Sequence, residues 1–138
     1  MFDKPFKLIV VTPERTAIDE MVTSVVIPSV DGYLGILANH APLMTVMQIG
    51  TLEFVTKDGV REVAAVTNGF VEVSDNQVTI LADAAEKQDE INVARAEQAL
   101  KRAEKRLAEG RSDIDVNRAR EAFERAKNRL EIAKREVK

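Results

Sequence analysis

The sequence contains no cysteine, no tryptophan, one tyrosine and one histidine among its 138 residues. Without cysteine the chain has no disulfides, no thiolate nucleophile and no sulfur-ligated zinc. One histidine, His40, cannot build the imidazole clusters of many metal enzymes. No apolar run approaches the roughly eighteen residues that a membrane span needs, and the first residues do not resemble a signal peptide. These absences predict a cytosolic globular protein without a metal site.

Charge is distributed unevenly along the chain. Residues 1–85 hold five basic and eleven acidic residues, whereas residues 86–138 hold fifteen basic and twelve acidic ones, so the net charges are −6 and +3. An acidic body with a basic arm indicates that the arm meets an anionic ligand or an acidic protein surface. Because the basic residues are interspersed with glutamate, no nucleic-acid partner is expected.

The first 83 residues consist of short apolar segments separated by turn-forming residues. Turns are expected at Asp31-Gly32, Asp58-Gly59, Asn68-Gly69 and Ser74-Asp75-Asn76. Short strands with frequent turns favour an antiparallel β-sandwich or flattened barrel, and no helix separates the strands as a parallel sheet would require. The predicted strands are 6–12, 21–27, 34–37, 43–47, 51–56, 61–66, 70–73 and 78–81.

Residues 93–137 show the three-four spacing of apolar residues that is typical of helices. Asp89 or Asn92 is expected to cap a first helix, Gly110 to end it, and Ser112 or a following aspartate to cap a second. Five of the twelve seam residues are alanine, so the seam is close-fitting, buries little area and can be opened. The seam residues are Val93, Ala96, Leu100, Ala103 and Leu107 on the first helix and Val116, Ala119, Phe123, Ala126, Leu130, Ala133 and Val137 on the second.

Together these patterns predict an α+β fold in two parts. Residues 1–85 are expected to form the antiparallel β-sandwich, or flattened barrel. Residues 86–138 are expected to form an antiparallel two-helix hairpin.

Each predicted helix carries three arginines in the same register. Spacings of seven and four put each triad on one helix face, flanking the apolar seam. Forked guanidinium groups from two adjacent helices suit the phosphate oxygens of one polyanion. The alternative, which spacing alone favours, is a solvated face with ordinary ion pairs such as Glu97 with Lys101. The triads are Arg95, Arg102 and Arg106, and Arg118, Arg125 and Arg129.

No motif predicts catalysis by this chain alone. There is no phosphate-binding P-loop, and His40 lies in a predicted loop with no serine or cysteine close in sequence. We therefore interpret His40 as a contact residue rather than a general base. Two other hypotheses stay open at this point: a ligand-binding sandwich that dimerises through its helices, and an enzyme that uses His40 with a nearby carboxylate.

Four short motifs, followed by the two-helix C-terminus, resemble the epsilon subunits of bacterial F-type ATP synthases over the whole chain. Ala38 departs from the family pattern, because relatives commonly have proline there, and the departure reduces the rigidity of the loop. The motifs are Val11-Thr12-Pro13, GILANHAPL at 35–43, NGFVEV at 68–73, and VTILA at 78–82 followed by Ala84-Ala85-Glu86.

The resemblance implies a non-catalytic rotor subunit of the central stalk. In that family the sandwich docks on the gamma subunit and the ring of c subunits, through positions that correspond here to Tyr33, His40, Ala41 and Pro42. The hairpin either folds on the sandwich or rises along gamma toward the alpha and beta subunits, where it blocks rotation in the hydrolysis direction. The resemblance further implies a peripheral location at the cytoplasmic face of the bacterial cell membrane, no direct membrane insertion, and a monomer when isolated.

Some members of this family bind ATP on the folded hairpin without hydrolysing it, as a regulatory ligand rather than a required cofactor. Their signature, Ile/Leu-Asp-x-x-Arg-Ala, is similar to residues 91–96 here, with Asn92 in place of aspartate. An amide offers one acceptor oxygen instead of two, so we expect ATP binding to be weakened. The ligand residues implied by the resemblance are Glu86, Ile91, Asn92, Arg95, Ala96, Arg102, Arg125 and Arg129.

Overall fold

The structure is a computed structural model that describes residues 4–110 and 113–137; of residues 113 and 114 it describes the backbone only. Seven strands are followed by a 3-10 turn at Gln88–Glu90, here called the linker turn, and by helices α1 (Val93–Glu109) and α2 (Asp113–Lys134). This order confirms the predicted α+β class. The strands are β1 (Phe6–Val11), β2 (Thr16–Ser29), β3 (Gly32–Leu37), β4 (Leu43–Met47), β5 (Gly50–Thr56), β6 (Arg61–Ser74) and β7 (Gln77–Lys87).

Five strands close into a flattened barrel, in the order β1, β2, β5, β6, β7 and back to β1. Strands β3 and β4 extend the sheet along β2 and β6. All pairs are antiparallel, as predicted, except β1 with β7, which are parallel. A ring with an odd number of strands cannot alternate in direction all the way round. One parallel pair is therefore a consequence of closure, which removes the exposed sheet edges of these strands.

Strand β6 unites the segments 61–66 and 70–73, which were predicted as two strands. The predicted turn at Asn68-Gly69 is wrong. Both residues have positive φ, 42° and 146°, but the strand bends there and continues. Before the bend β6 pairs with β5, and after it with β4. A Cβ at residue 69 would lie 1.9 Å from the carbonyl oxygen of Leu81, so only glycine lets β6 and β7 approach this closely.

The other predicted turns are confirmed. Asp75 and Asn76 both have positive φ, as a tight two-residue hairpin requires, and they join β6 to β7. Strand β2 begins at Thr16, five residues before its predicted start at Met21, because the added segment pairs with β1. The segment is acidic and buries only Ile18, so its sequence pattern did not indicate a strand. Strand β7 extends to Lys87, six residues past its predicted end at Leu81 and two past the domain boundary expected at residue 85.

Large aliphatic and aromatic side chains fill the barrel. In β1, for example, Phe6, Leu8 and Val10 alternate with half-buried residues and are almost completely buried. Each such side chain contributes about 1.5–3 kcal/mol through burial. Other fully buried side chains of this core are Ile18, Val22, Ile27, Ile36, Met47, Leu52, Phe54 and Ile80.

The bounds of α1 agree with the predicted capping residues. The side-chain oxygen of Asn92 accepts a hydrogen bond from the backbone N–H of Arg95 at 3.1 Å. Gly110 adopts the left-handed conformation, and its N–H donates to the carbonyl oxygen of Arg106. Ser112, a predicted cap of the second helix, lies outside the described residues.

Small residues form the centre of the seam between α1 and α2. Ala96, Ala103, Ala119 and Ala126 are buried, and Leu130 is buried at one end of the seam. The larger predicted seam residues, Leu100 and Phe123 among them, are only half-buried. Val93 is 40% exposed, so its assignment to the buried seam is wrong. It is the first residue of α1.

A second apolar face of α2 packs on the sheet. Ile132, which the seam pattern does not include, is 1% exposed and forms a small cluster with Val63 and Ala65 of β6. Ile91 and Val137 pack against the same cluster. Helix α2 therefore has two partners, α1 on one face and β6 on another. Neither α1 nor the described part of α2 has the length and apolarity needed to cross a membrane.

Candidate functional site

A cavity of about 840 Å³ lies between the hairpin and the sheet domain. Four small side chains of the hairpin line it: Ala96 and Ala103 from the seam, and Ala99 and Ala122 beside the seam. Because these positions are alanine, the space beside the seam is left open. The volume is within the range of small-molecule sites, about 300–1,000 Å³.

Six arginines line the cavity, against three glutamates, so its wall has three excess positive charges at neutral pH. The arginines on α1 have no ion-pair partner among the residues that the structure describes. Such a concentration of like charge in one concave site attracts a polyanion. The arginines are Arg15, Arg95, Arg102, Arg106, Arg125 and Arg129.

Two of the glutamates hold arginines of the cavity in position. Arg129 Nε donates a hydrogen bond to Glu86 Oε1, which joins α2 to β7. Arg15 donates to both carboxylate oxygens of Glu90, at 2.8 and 3.2 Å, and to the carbonyl oxygen of Ala85 at 3.1 Å. The hydrogen bond from Arg15 lowers the pKa of Glu90 below its ordinary value, against the effect of desolvation. The same ion pair raises the pKa of Arg15.

Asn92 stands at the cavity wall with its side-chain oxygen already engaged as the cap of α1. It can still offer a ligand its amide nitrogen as a donor and the second lone pair of its oxygen as an acceptor. The helix cap therefore uses one of the two acceptor positions of that oxygen, whereas an aspartate would have a second oxygen to offer.

The fold brings together seven of the eight residues that the resemblance implies as ATP ligands. Glu86, Asn92, Arg95, Ala96, Arg102, Arg125 and Arg129 all line the cavity. Ile91 is not among the lining residues, because its side chain packs against the cluster around Ile132.

The structure adds two arginines to that set. Arg106 belongs to the α1 triad and lines the cavity, whereas Arg118 of the α2 triad does not. The spacing of seven and four already pointed to Arg106. Arg15 comes from the loop before β2, 75 residues away from its partner Glu90, and no local pattern could have found it.

The four positions expected to contact the stalk do not form one cluster. Tyr33, 67% exposed, lies beside Pro28 near the start of β3. His40, Ala41 and Pro42 follow the opposite end of β3, in the loop before β4. The Nδ1 atom of His40 lies 2.7 Å from the carbonyl oxygen of Ala41. No group of acidic and histidine side chains suited to a metal ion occurs among residues 4–110 and 115–137.

The fold and the cavity together define a class of small two-part proteins, in which a closed β-sandwich carries a helical hairpin. Residues 5–88 match the family described as ATP synthase, Delta/Epsilon chain, beta-sandwich domain, and residues 89–134 match its long alpha-helix domain. The chain belongs to the ATP synthase delta/epsilon chain family.

Curated relatives that it resembles are ATP synthase epsilon chains. It is 50% identical over 109 residues to the ATP synthase epsilon chain of Pelotomaculum thermopropionicum, covering 79% of this chain and 81% of that one. It is 52% identical over 103 residues to the epsilon chain of Symbiobacterium thermophilum, covering 74% and 73%. It is accordingly an epsilon-type, non-catalytic subunit of ATP synthase, which removes the two alternative hypotheses of a stand-alone sandwich and a His40 enzyme.

Solved structures share the fold. A chain of the Euglena gracilis mitochondrial ATP synthase, from a structure of OSCP, F1 and c-ring, matches with a TM-score of 0.78 at 23% identity, over 94% of this chain and 81% of that one. A chain of the central stalk and c-ring structure from Tetrahymena thermophila matches with a TM-score of 0.63 at 16% identity, over 92% and 95%.

Proposed function

We propose that this chain is a central-stalk rotor subunit whose hairpin switches between the folded state described above and an extended state that inhibits ATP hydrolysis. ATP is proposed to bind the folded state as a regulatory ligand. The observation that carries the proposal is the cationic cavity. Its walls come from both the hairpin and the sheet domain, so the cavity exists only while the hairpin is folded.

An exposed apolar patch supports docking of the sheet domain on a partner. Phe70 of β6 lies between Val46 of β4 and Leu81 of β7, and Met44 lies two residues from Val46 on the same face. These four side chains are 44–74% exposed. A contiguous apolar surface is typical of a protein interface. The patch supports docking on a partner protein. From the resemblance we propose that this partner is the gamma subunit, and that the chain lies peripherally at the cytoplasmic face of the bacterial cell membrane, next to the c-subunit ring.

The folded hairpin is held on the sheet by one fully buried large side chain, a few hydrogen bonds and two ion pairs, Arg129 with Glu86 and Arg135 with Glu53. Ile132 supplies the one fully buried large side chain of α2 among residues 115–134. Around it, Gln88 Nε2 donates to the carbonyl oxygens of Ile132 and Arg135, at 2.7 and 2.6 Å, and Asn128 Nδ2 donates to that of Gly50 at 2.8 Å. Each hydrogen bond contributes about 0.5–1.5 kcal/mol net, so a partner that offers equivalent contacts can compete for the hairpin.

A ligand that binds only the folded state shifts this equilibrium by mass action. At one hundred times its dissociation constant, ATP would stabilise the folded hairpin by about 2.7 kcal/mol, a roughly hundredfold change in the ratio of folded to extended states. ATP is therefore expected to relieve inhibition, and ATP depletion to permit extension toward the alpha and beta subunits. The isolated chain, with its hairpin folded on itself, is expected to be a monomer.

The test adds the purified chain to an ATPase core that contains the gamma subunit but lacks this subunit, and measures hydrolysis against ATP concentration. A variant truncated after Gln88, which leaves β7 whole, is the comparison. The full chain is expected to inhibit at low ATP and the truncated chain to inhibit less. Equal rates for both would contradict the switch.

The ATP part of the proposal is tested by titration calorimetry on the isolated chain. Arg129→Ala removes a cavity arginine and its contact with Glu86, and is expected to weaken ATP binding by about tenfold or more. Arg120→Ala, an exposed α2 residue outside the cavity, is the matched control. Absence of heat with millimolar ATP would remove the regulatory ligand while leaving the stalk role intact.

A further inference from the structure

The loop between β3 and β4, here called the 38–42 loop, connects two strands that do not pair with each other. Strand β3 pairs with β2, whereas β4 pairs with β6 and, at one residue, with β2. A hairpin loop takes its conformation from the register of its flanking strands, and this loop has no such register. Its conformation therefore depends on contacts with other parts of the chain.

The side chain of Asn76, in the turn between β6 and β7, makes such a contact. The backbone N–H of Asn39 donates a hydrogen bond to Asn76 Oδ1 at 2.7 Å. Asn39 has a φ of 61°, a left-handed conformation that costs most residues free energy. Among the residues that the structure describes, this is the one hydrogen bond that joins the 38–42 loop to another segment.

Asn76 is in turn attached to the start of β1. Its Nδ2 atom donates to the carbonyl oxygen of Pro5 at 3.4 Å, and its own backbone carbonyl oxygen accepts from the N–H of Lys7 at 3.4 Å. Only the oxygen of a side-chain amide can accept from Asn39, and only its nitrogen can donate to Pro5, so both ends of the amide are used. One asparagine thus joins the 38–42 loop, the β6–β7 turn and β1.

The 38–42 loop leads directly into the exposed apolar patch of Met44, Val46, Phe70 and Leu81. Ala41 and Pro42 are exposed, and Pro42 lies two residues before Met44, which is 74% exposed. A loop that is fixed before binding loses less conformational entropy when a partner covers it. The loop can therefore add contact area to the patch at a low entropic cost.

We propose that Asn76 is a positioning residue for the binding surface of the sheet domain, because it holds the 38–42 loop in its binding conformation beside the apolar patch. The inference rests on the proposed docking on the gamma subunit and adds a residue outside the expected stalk contacts. In this role Asn76 acts through the N–H of Asn39 rather than by contact with the partner. Loss of its side chain is expected to loosen the loop and weaken docking while the barrel stays intact.

The β6–β7 turn offers a matched pair of glycine substitutions. Asp75 and Asn76 have φ values of 52° and 59°, which glycine adopts readily, so neither substitution should distort the turn. Asn76→Gly removes the contact with the loop. Asp75→Gly, at an exposed neighbouring position, leaves that contact in place and is the control. Asn76→Asp is the rescue variant, because its carboxylate can still accept from the N–H of Asn39.

The first measurement is amide hydrogen exchange of the full isolated chain. Asn76→Gly should speed exchange of the Asn39 N–H by about threefold or more, whereas Asp75→Gly and Asn76→Asp should stay within about twofold of wild type. Unchanged protection of the β-strands shows that each variant is folded.

The second measurement is the affinity of each variant for an ATPase core that contains the gamma subunit but lacks this subunit, followed by biolayer interferometry. Asn76→Gly should weaken binding by about three- to tenfold. The control and the rescue variant should bind within about twofold of wild type.

Three results would overturn the inference: an unchanged exchange rate of the Asn39 N–H in Asn76→Gly, faster exchange with unchanged affinity for the core, or an equal loss of affinity in Asp75→Gly. The last result would make the turn, and not its contact with the loop, responsible. Failure of the proposed docking looks different. The wild-type chain would then not bind the core at all, and both proposals would be wrong even if Asn76 fixes the loop.

Discussion

The two parts of this molecule are stabilised in opposite ways. The sheet domain closes a barrel around large side chains such as Phe6, Leu8 and Phe54, each about 1% exposed or less. The hairpin buries mainly alanines in its seam, and its larger seam residues Leu100 and Phe123 are only partly buried. Since stabilisation by burial scales with apolar area, we expect the sheet domain to be the more stable part and the hairpin to be the part that moves in the proposed switch.

The largest expected effect on stability comes from a comparison of two substitutions, one phenylalanine from each part replaced by alanine. Phe54→Ala opens a cavity in the barrel and should lower the free energy of unfolding of the sheet domain by about 3–5 kcal/mol. Phe123→Ala, at a half-buried seam position, should cost less than about 2 kcal/mol and affect the hairpin alone. Amide hydrogen exchange of the β-strands and helices distinguishes them. Equal loss of protection in the strands of both variants would show that the two parts are not separate.

The next effect concerns the contact between the two parts. Ile132→Ala should cost about 2–5 kcal/mol, because Ile132 is 1% exposed between α2 and β6. The expected result is faster exchange throughout the hairpin with unchanged protection of the barrel. Ile132→Val, at about 0.5–1.5 kcal/mol, is the graded control. A loss of barrel protection in either variant would mean that the hairpin is needed for the stability of the sheet.

The smallest effect tests the ion pair that ties the linker turn to the sheet domain. Because Arg15 lowers the pKa of Glu90, the carboxylate stabilises the fold fully above the pKa of a free glutamate, about 4.3, and this contribution is lost as the pH falls through the lower folded value. Wild type should therefore melt above Glu90→Gln at pH 7, and the difference should vanish in acid.

Glu104→Gln, an exposed change on α1, is the control for this pH dependence. Melting is followed by circular dichroism at several pH values. A difference between wild type and Glu90→Gln that stays constant from pH 7 into the acidic range would show that ionisation of Glu90 is not its source.

Local sequence features predicted much of the fold and missed features that depend on distant partners. Asn92 and Gly110 set the ends of α1 through contacts within one turn, so both could be predicted. The Asn68-Gly69 pair also has turn chemistry, yet the strand continues, because its two halves are paired by β5 and β4. A turn signal alone does not indicate whether flanking strands pair with each other or with other strands.

In the candidate site, too, local sequence predicted some features and missed those that depend on distant partners. Helical spacing predicted the arginine triads, but it could not decide between a solvated face and a ligand site, nor separate Arg106 from Arg118. The structure separates the two arginines, because Arg106 lines the cavity and Arg118 does not. Arg15 enters the site from a loop 75 residues before Glu90.

By itself the sequence determined the two-part organisation, the alanine seam, the caps of α1 and the excess of basic residues in the hairpin. These follow from periodicity, capping and charge, which act over one or two turns of chain. Only the tertiary structure decided the closure of the barrel with its one parallel pair, the docking of Ile132 on β6, and which arginines share a cavity. Those outcomes depend on contacts between residues far apart in the chain, whose geometry no local pattern encodes.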